Sequence, residues 1–109
     1  MQSNILKRLN HERAQGRATA LVTILSTQGS TPRKAGSQML VFADGSIFGT
    51  IGGGLAEGRS IQAAQETLKS GASSLHSMTM DASVAAADGM ACGGEMEIFV
   101  QYVAAPGDE

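Results

Sequence analysis

The chain has 109 residues, of which 42% are hydrophobic and 17% charged, a balance typical of one globular domain rather than a disordered segment. A net charge of −2 without a basic stripe excludes an electrostatic case for nucleic acid or an anionic membrane as a partner. No apolar run approaches the roughly 18 residues that span a bilayer. Because Met1 to Leu9 also lacks the apolar core of a signal peptide, we expect a cytoplasmic protein.

The first predicted elements are a helix and a buried strand. Ser3 can cap the helix and Gly16 can end it. The apolar and β-branched stretch Thr19 to Ser26 predicts a strand, and its run Ala20-Leu21-Val22 indicates burial on both faces. The polar segment Gln28 to Ser37 then predicts a loop.

A hairpin and a second helix follow. Gln38 to Phe42 and Ser46 to Ile51 flank Asp44-Gly45, which is a strong signal for a β-hairpin turn. Leu55 to Ser70 carries apolar residues at helical spacing, and Gly71 stands where a helix commonly ends in the left-handed conformation.

Two more strands complete the predicted fold. Leu75 to Met80 and Glu95 to Val103 alternate like strands, the segment Asp81 to Gly94 between them predicts a loop, and the tail from Ala104 is expected to fray. The order of elements favours an α+β fold, in which a mixed sheet of about five strands is covered by two main helices. We interpret residues 1–109 as a single domain.

Glycine is the compositional outlier. It accounts for 14 of the 109 residues, about twice its average usage. The glycines cluster in three loops, Gly29 to Gly36, Gly49 to Gly58 and Gly89 to Gly94, which indicates backbone geometry needed at particular places. We call these segments loop 1, loop 2 and loop 3.

Loop 2 joins a predicted strand to a predicted helix. Gly52, Gly53 and Gly54 would let a ligand approach exposed N–H groups, and the helix N-terminus favours a phosphate or another anion. A dinucleotide-binding fingerprint would need glycine where Glu57 stands, and a P-loop would need lysine where Leu55 stands. Both common nucleotide motifs are therefore excluded. The alternative to ligand binding is a strained turn that packs against its neighbours.

Glu57 lies in the first turn of the predicted second helix. A carboxylate there can accept hydrogen bonds from unpaired N–H groups and favours the helix dipole, which is the interpretation that we prefer. The alternatives are an acid/base group and a hydrogen-bond acceptor for a ligand.

Loop 1 combines cations with hydroxyl groups. Arg33 can bind a phosphate through two hydrogen bonds and Lys34 adds a point charge. Taken alone, the loop is more readily explained as an exposed turn with solvated charges.

Loop 3 contains Cys92, the only cysteine in the chain, so neither an intrachain disulfide nor a cysteine metal cluster can form within one chain. Flanking N–H groups could lower the pKa of its thiol and prepare it for nucleophilic attack, sulfur transfer or soft-metal binding. The alternative is a buried, inert cysteine. His11 and His76 lack a second ligand at helix or strand spacing, and no metal site is predicted.

Taken together, the three loops resemble the XdhC/CoxI family. The resemblance is carried by Gly-Ser-Thr-Pro-Arg in loop 1, Gly-Thr-Ile-Gly-Gly-Gly with Glu57 in loop 2, and Gly-Met-Ala-Cys-Gly-Gly in loop 3. It runs from Thr19 to Gln101. Members of the family are accessory factors for xanthine dehydrogenase and related molybdenum hydroxylases.

The resemblance implies a chaperone that binds molybdenum cofactor (molybdopterin), protects it while a cysteine desulfurase-type donor installs a sulfido ligand, and passes it to the apo-enzyme. The glycine loop and helix N-terminus would hold phosphate or pterin, Arg33 would add charge, and Cys92 would lie near molybdenum or the transferred sulfur. The implied cofactor-binding residues are Gly29, Ser30, Arg33, Gly52, Gly53, Gly54, Glu57, Cys92, Gly93 and Gly94.

One departure from the family pattern is large, because typical members continue into a Rossmann-like domain that this sequence does not contain. We expect a free-standing module, a subunit with a separate Rossmann-domain partner, or a truncated piece. The resemblance favours a non-catalytic accessory factor. The alternatives are a small oxidoreductase or sulfur-transfer enzyme with Cys92 and Glu57 as catalytic residues, and an interaction module with structural glycine loops. Uncovered apolar surface would also permit a homodimer.

Overall fold

A computed structural model describes residues 3–29, 34–79 and 94–106. Each element within these ranges lies where the sequence predicts it. The elements in chain order are α1 (Ser3–Ala14), β1 (Thr19–Gln28), β2 (Gln38–Val41), β3 (Ile47–Gly49), α2 (Gly54–Ser70), β4 (Ser74–Thr79) and β5 (Glu95–Val103). The α+β class, with five strands and two helices, is confirmed. Neither of the described helices is both long enough and apolar enough to cross a membrane.

The five strands form one sheet in the order β3-β2-β1-β5-β4, and every described pair of neighbours is antiparallel. The expectation of a mixed sheet is therefore wrong. The strands β3 and β4, which α2 connects, do run in the same direction. However, α2 carries the chain from one edge of the sheet to the other, so these two strands are not neighbours.

The sheet is packed on both faces. On one face, α2 contributes Ala56 and Ala64 to a core with Ala20, Val22 and Ile98. On the other face, α1 packs on the sheet through a smaller core of Ile5, Leu9, Leu21, Leu40 and Phe42. Alternate residues of β1 thus enter different cores, which confirms that this strand is buried on both faces. Each fully buried aliphatic side chain contributes roughly 1.5–3 kcal/mol of transfer free energy.

The buried carboxylate of Glu12 links α1 to the segment that follows the helix. Glu12 is only 4% exposed. The Nε and Nη2 atoms of Arg17 donate to its carboxylate at 2.8 and 3.2 Å, and Nε of Arg8 donates at 3.3 Å. The guanidinium carbon of Arg8 also lies 4.7 Å from the ring centre of Phe42. Because both arginines pair with it, the carboxylate can be buried without an uncompensated charge.

The Glu12 cluster predicts a loss of stability in acid. Hydrogen bonding by Arg17 lowers the pKa of Glu12 below its ordinary value of 4.5, although burial opposes this shift, and Arg8 adds to the lowering. The unfolded chain therefore takes up the proton first, and the stabilisation is lost as the pH falls through the lowered pKa. At pH 7 we expect Glu12→Gln to reduce the free energy of unfolding by about 1–3 kcal/mol. Urea titrations from pH 7 to acid should show this difference shrinking.

The matched control is Glu95→Gln, because Glu95 is exposed. This variant should follow the pH profile of the unmodified chain. If the free energy of unfolding of Glu12→Gln fell with pH by the same amount as that of the unmodified chain, Glu12 would not be the source of the acid sensitivity.

Candidate functional site

The strand directions bring the attachment points of all three glycine-rich loops to one end of the sheet. Gln28 ends β1 and pairs with Glu95, the first residue of β5, while Thr79 at the end of β4 pairs with Glu95 from the other side. Gly49 ends β3 and pairs with Met39 near the start of β2. We call this end of the sheet, from which loops 1, 2 and 3 emerge, the loop end.

The points where the three loops attach to the sheet follow one another across the loop end. Loop 2 starts from β3 at an edge, loop 1 connects β1 and β2, and loop 3 lies between β4 and β5. With about 4.8 Å between neighbouring strands, β3 and β5 are roughly 14 Å apart. Because α2 packs mainly on β1 and β5, loop 2 leads from the edge toward the middle of the sheet. A ligand that reached all three loops would therefore be elongated.

Several of the predicted site residues lie outside the described ranges. They are Ser30, Arg33, Cys92 and Gly93. Two others are at the loop end: Gly29 follows β1 with a φ of 72°, and Gly94 is buried directly before β5. The described base of loop 1 is closed by two backbone hydrogen bonds, one from Gly36 N–H to Ile24 at 2.8 Å and one from Ile24 N–H to Ser37 at 3.0 Å.

The triple glycine of loop 2 has a conformation that other residues rarely adopt. The φ angles of Gly52, Gly53 and Gly54 are 118°, 75° and 63°. Open space surrounds Gly53, since a Cβ placed there would meet no heavy atom within 4 Å. The glycines thus shape the turn, and at Gly53 they also leave the backbone accessible from outside.

Glu57 stabilises loop 2 by accepting hydrogen bonds from several of its groups. Its Oε1 atom accepts hydrogen bonds from the Thr50 hydroxyl at 2.5 Å and from the N–H groups of Ile51 and Gly53, both at 3.3 Å. The N–H of Gly52 donates to Thr50 Oγ1 at 3.0 Å. Half-buried Glu57 therefore takes the role that its place in the first helical turn predicts, as an acceptor for N–H groups near the helix start.

This arrangement changes what loop 2 offers a ligand. Within the triple glycine expected to bind an anion, the N–H of Gly53 already donates to Glu57 and that of Gly52 to Thr50, so neither is open to a phosphate. The hydrogen bonds from Thr50, Ile51 and Gly53 all reach Oε1 of Glu57, and none of the three uses the other oxygen, Oε2. The contribution of Thr50 was not predicted, because spacing alone does not place its hydroxyl beside a residue seven positions away.

A polar groove of about 230 Å³ flanks the base of loop 3. Its lining includes Ser26, Gln28, Ser77, Thr79, Glu95 and Glu97. Strand alternation alone would have placed Glu95 and Glu97 on one face of β5, yet the sequence analysis did not single them out. Among the described residues, no group of three or more potential ligands is arranged to hold a metal ion.

The model of the XdhC and CoxI family matches residues 12–79. The chain belongs to the XdhC and CoxI family. The match includes loop 1 and loop 2 with Glu57, and it ends before loop 3.

The chain is also similar to two longer proteins. The YqeB protein of Escherichia coli (strain K12) is 43% identical over 81 residues, which is 74% of this chain and 15% of YqeB. A crystal structure described as a xanthine dehydrogenase from Bacillus halodurans matches with a TM-score of 0.75 at 22% identity, over 90% of this chain and 30% of that one. The structural match shows a shared fold, and this domain corresponds to a minor part of both longer proteins.

Proposed function

We propose that this XdhC and CoxI family domain binds molybdenum cofactor during the maturation of a xanthine dehydrogenase-type molybdenum hydroxylase. The observation that carries the proposal is that the described attachment points of the three loops lie at one end of the sheet. Family membership suggests the cofactor, and the attachment points at one end of the sheet would give the three loops a common ligand.

The described residues suit the pterin part of the cofactor. Backbone at Gly53 and Gly36 borders open space, so a flat ring could approach both loops closely. A pterin presents N–H donors along one side of its ring, and Oε2 of Glu57 is an acceptor for such a donor. We propose that Glu57 orients the pterin through this oxygen while its other oxygen keeps loop 2 in shape.

The phosphate of the cofactor needs a different partner. Since the N–H groups of Ile51 and Gly53 already donate to Glu57, loop 1 becomes the proposed source of positive charge. Exposed Lys34 lies at its described base, and Arg33 precedes it. The guanidinium group of Arg33 can form two hydrogen bonds with a phosphate. Gly29 and Ser30, which also belong to loop 1, would line the same phosphate site.

Cys92, with Gly93 and Gly94, is proposed to lie near the metal end of the cofactor. When bound, the cofactor supplies the molybdenum-centred chemistry of the hydroxylase. The domain itself would bind, orient and shield it as a non-catalytic chaperone in the cytoplasm. The proposed partners are the apo-enzyme, a cysteine desulfurase-type sulfur donor and a separate Rossmann-domain subunit, with a second copy of the chain making a homodimer.

Cofactor titration of the purified domain tests this proposal. We expect saturable binding, which Arg33→Ala should weaken by roughly tenfold because one charge-assisted contact to phosphate is lost. Cys92→Ser should weaken binding as well. The matched control is Lys69→Ala, since Lys69 lies in the last turn of α2, at the opposite end of the sheet. The absorbance of the cofactor itself would report the affinity.

The proposal fails if the folded domain does not bind the cofactor. If Arg33→Ala and Cys92→Ser both keep full affinity, these residues do not belong to the site. A loss of affinity in Lys69→Ala as large as that in Arg33→Ala would indicate a general charge effect instead of a site at the loop end.

A further inference from the structure

A pocket of about 360 Å³ lies at the end of the sheet opposite the loop end. It is bounded by the second half of α1, the segment after this helix and the turn between β2 and β3. Its volume falls within the roughly 300–1,000 Å³ that is typical of small-molecule sites. The side chains that matter for its chemistry are Arg8, Glu12, Arg17, Phe42, Asp44 and Ser46. None of them has a role in the proposed function.

Two arginine side chains of this pocket are held in place. Both donate to the carboxylate of Glu12, which is itself buried. The guanidinium carbon of Arg8 also lies 4.7 Å from the ring centre of Phe42 and 5.3 Å from that of Phe48. Buried ion pairs often stabilise a fold no more than apolar side chains of similar volume would. This cluster does, however, pre-organise two guanidinium groups, which lowers the entropy cost of binding a ligand.

Both guanidinium groups keep hydrogen-bond donors that Glu12 does not use. The three bonds to its carboxylate come from Nε of Arg8 and from Nε and Nη2 of Arg17. These bonds leave both terminal nitrogens of Arg8 and the Nη1 atom of Arg17. The side chains of Arg8 and Arg17 are 40% and 55% exposed. Together they can bind a ligand carboxylate, whose two oxygens match a pair of guanidinium donors.

The turn between β2 and β3 adds a carboxylate to the same pocket. Oδ1 of Asp44 accepts hydrogen bonds from the N–H and the hydroxyl of Ser46 at 2.9 and 2.5 Å. These bonds lower the pKa of Asp44, and the nearby charge of Arg17 adds to the lowering. Among the described residues, however, Arg17 forms an ion pair with Glu12 and not with Asp44. Two opposite charges thus line one pocket without pairing directly, which leaves room for a ligand that carries both signs.

We propose that this pocket binds a small zwitterion of the α-amino acid class. The carboxylate of the ligand accepts hydrogen bonds from the remaining donors of Arg8 and Arg17, and its ammonium group donates to Oδ2 of Asp44. Glu12 and Asp44 balance the charges of the two arginines, so the lining residues carry no net charge. A neutral zwitterion suits this balance better than an anion, which Asp44 would repel.

An NMR titration of the isotope-labelled chain with L-valine tests this site. We expect saturable shifts at the backbone amides of the turn between β2 and β3 and at the Nε–H groups of Arg8 and Arg17. Isovalerate lacks the ammonium group of L-valine, and isobutylamine lacks its carboxylate. Each should bind roughly tenfold more weakly than L-valine, because each loses one charge-assisted contact.

Two substitutions separate the two halves of the site. Asp44→Asn keeps an oxygen for the bonds from Ser46, so it should weaken binding of L-valine by roughly tenfold and leave that of isovalerate unchanged. Arg8→Lys keeps the positive charge but loses the planar donor pair, so it should weaken binding of both. The matched control is Glu66→Gln, because Glu66 is exposed on α2. Circular dichroism verifies that the three variants are folded.

A folded chain that shows no saturable binding of L-valine would overturn the proposal. Equal affinities for L-valine and isovalerate would do the same, since they would indicate an anion site that does not use Asp44. Full affinity of Asp44→Asn for L-valine would likewise contradict the zwitterion. Cofactor affinity of Asp44→Asn should equal that of the unmodified chain, so the pocket and the proposed function are tested separately.

Discussion

Replacing Gly49 by alanine is expected to lower the free energy of unfolding by about 2–4 kcal/mol. Gly49 ends β3 with a φ of 87°, a left-handed conformation that is strained for any residue with a Cβ. A Cβ there would lie 3.0 Å from the backbone oxygen of Gln38 and 3.1 Å from Cδ1 of Ile5. The Gln38 oxygen cannot easily move, because β2 is paired with strands on both sides. Chemical denaturation would measure the loss.

Two other glycines separate the causes of this loss. Gly53 also has a positive φ of 75°, but a Cβ there would meet nothing within 4 Å. Gly53→Ala should therefore cost only the backbone strain, about 1–3 kcal/mol, because its φ of 75° and ψ of −172° lie in a region that is essentially restricted to glycine. Gly58 lies inside α2 with open space around it. Gly58→Ala should raise stability by about 0.5–1 kcal/mol. Equal effects of the three substitutions would contradict the packing described at Gly49.

The order and bounds of the elements could be predicted because their signals are local. The Asp44-Gly45 turn forms as expected: Gly45 has a φ of 87°, and Asp44 accepts from the N–H of Ser46 at 2.9 Å. Gly71 ends α2 in the left-handed conformation, with its N–H donating to the Thr67 oxygen at 2.8 Å. Both features depend only on residues within a few positions of each other.

The direction and order of the strands could not be predicted in the same way. Placing β5 between β1 and β4 depends on contacts between segments that are distant in the chain, and strand patterning does not say which neighbour a strand takes. The mixed sheet was expected from the order of the elements alone, which does not give the direction of neighbouring strands. The structure instead uses α2 to cross the whole sheet.

For loop 2, composition indicated a turn at the triple glycine but not the contacts within it. Clustered glycines were sufficient to mark loop 2, and the place of Glu57 in the first turn predicted its role as an acceptor. Neither feature could show that Thr50 donates to the same oxygen. The roles assigned to Ser30, Arg33, Cys92 and Gly93 stay predictions, because these residues lie outside the described ranges.

Removing the Glu57 side chain is expected to impair both folding and cofactor binding. In Glu57→Ala, the N–H groups of Ile51 and Gly53 lose their acceptor, which should cost about 1–3 kcal/mol. Glu57→Gln keeps an oxygen that can accept from the loop, but its second terminal atom becomes a donor. We therefore expect Glu57→Gln to stay close to the unmodified chain in stability and still bind the cofactor roughly tenfold more weakly.

Hydrogen exchange at the amides of Ile51 and Gly53, together with cofactor and inorganic phosphate titrations, would separate two roles of Glu57. If Glu57 organises loop 2, Glu57→Ala speeds exchange at both amides and weakens cofactor binding. If loop 2 is instead an anion site that Glu57 blocks, the freed N–H groups would bind inorganic phosphate more tightly in Glu57→Ala. Glu66→Ala is the control, because Glu66 is exposed on the same helix. Tighter phosphate binding by Glu57→Ala would contradict the organising role. It would show that the Glu57 carboxylate competes with an anion for the N–H groups of loop 2.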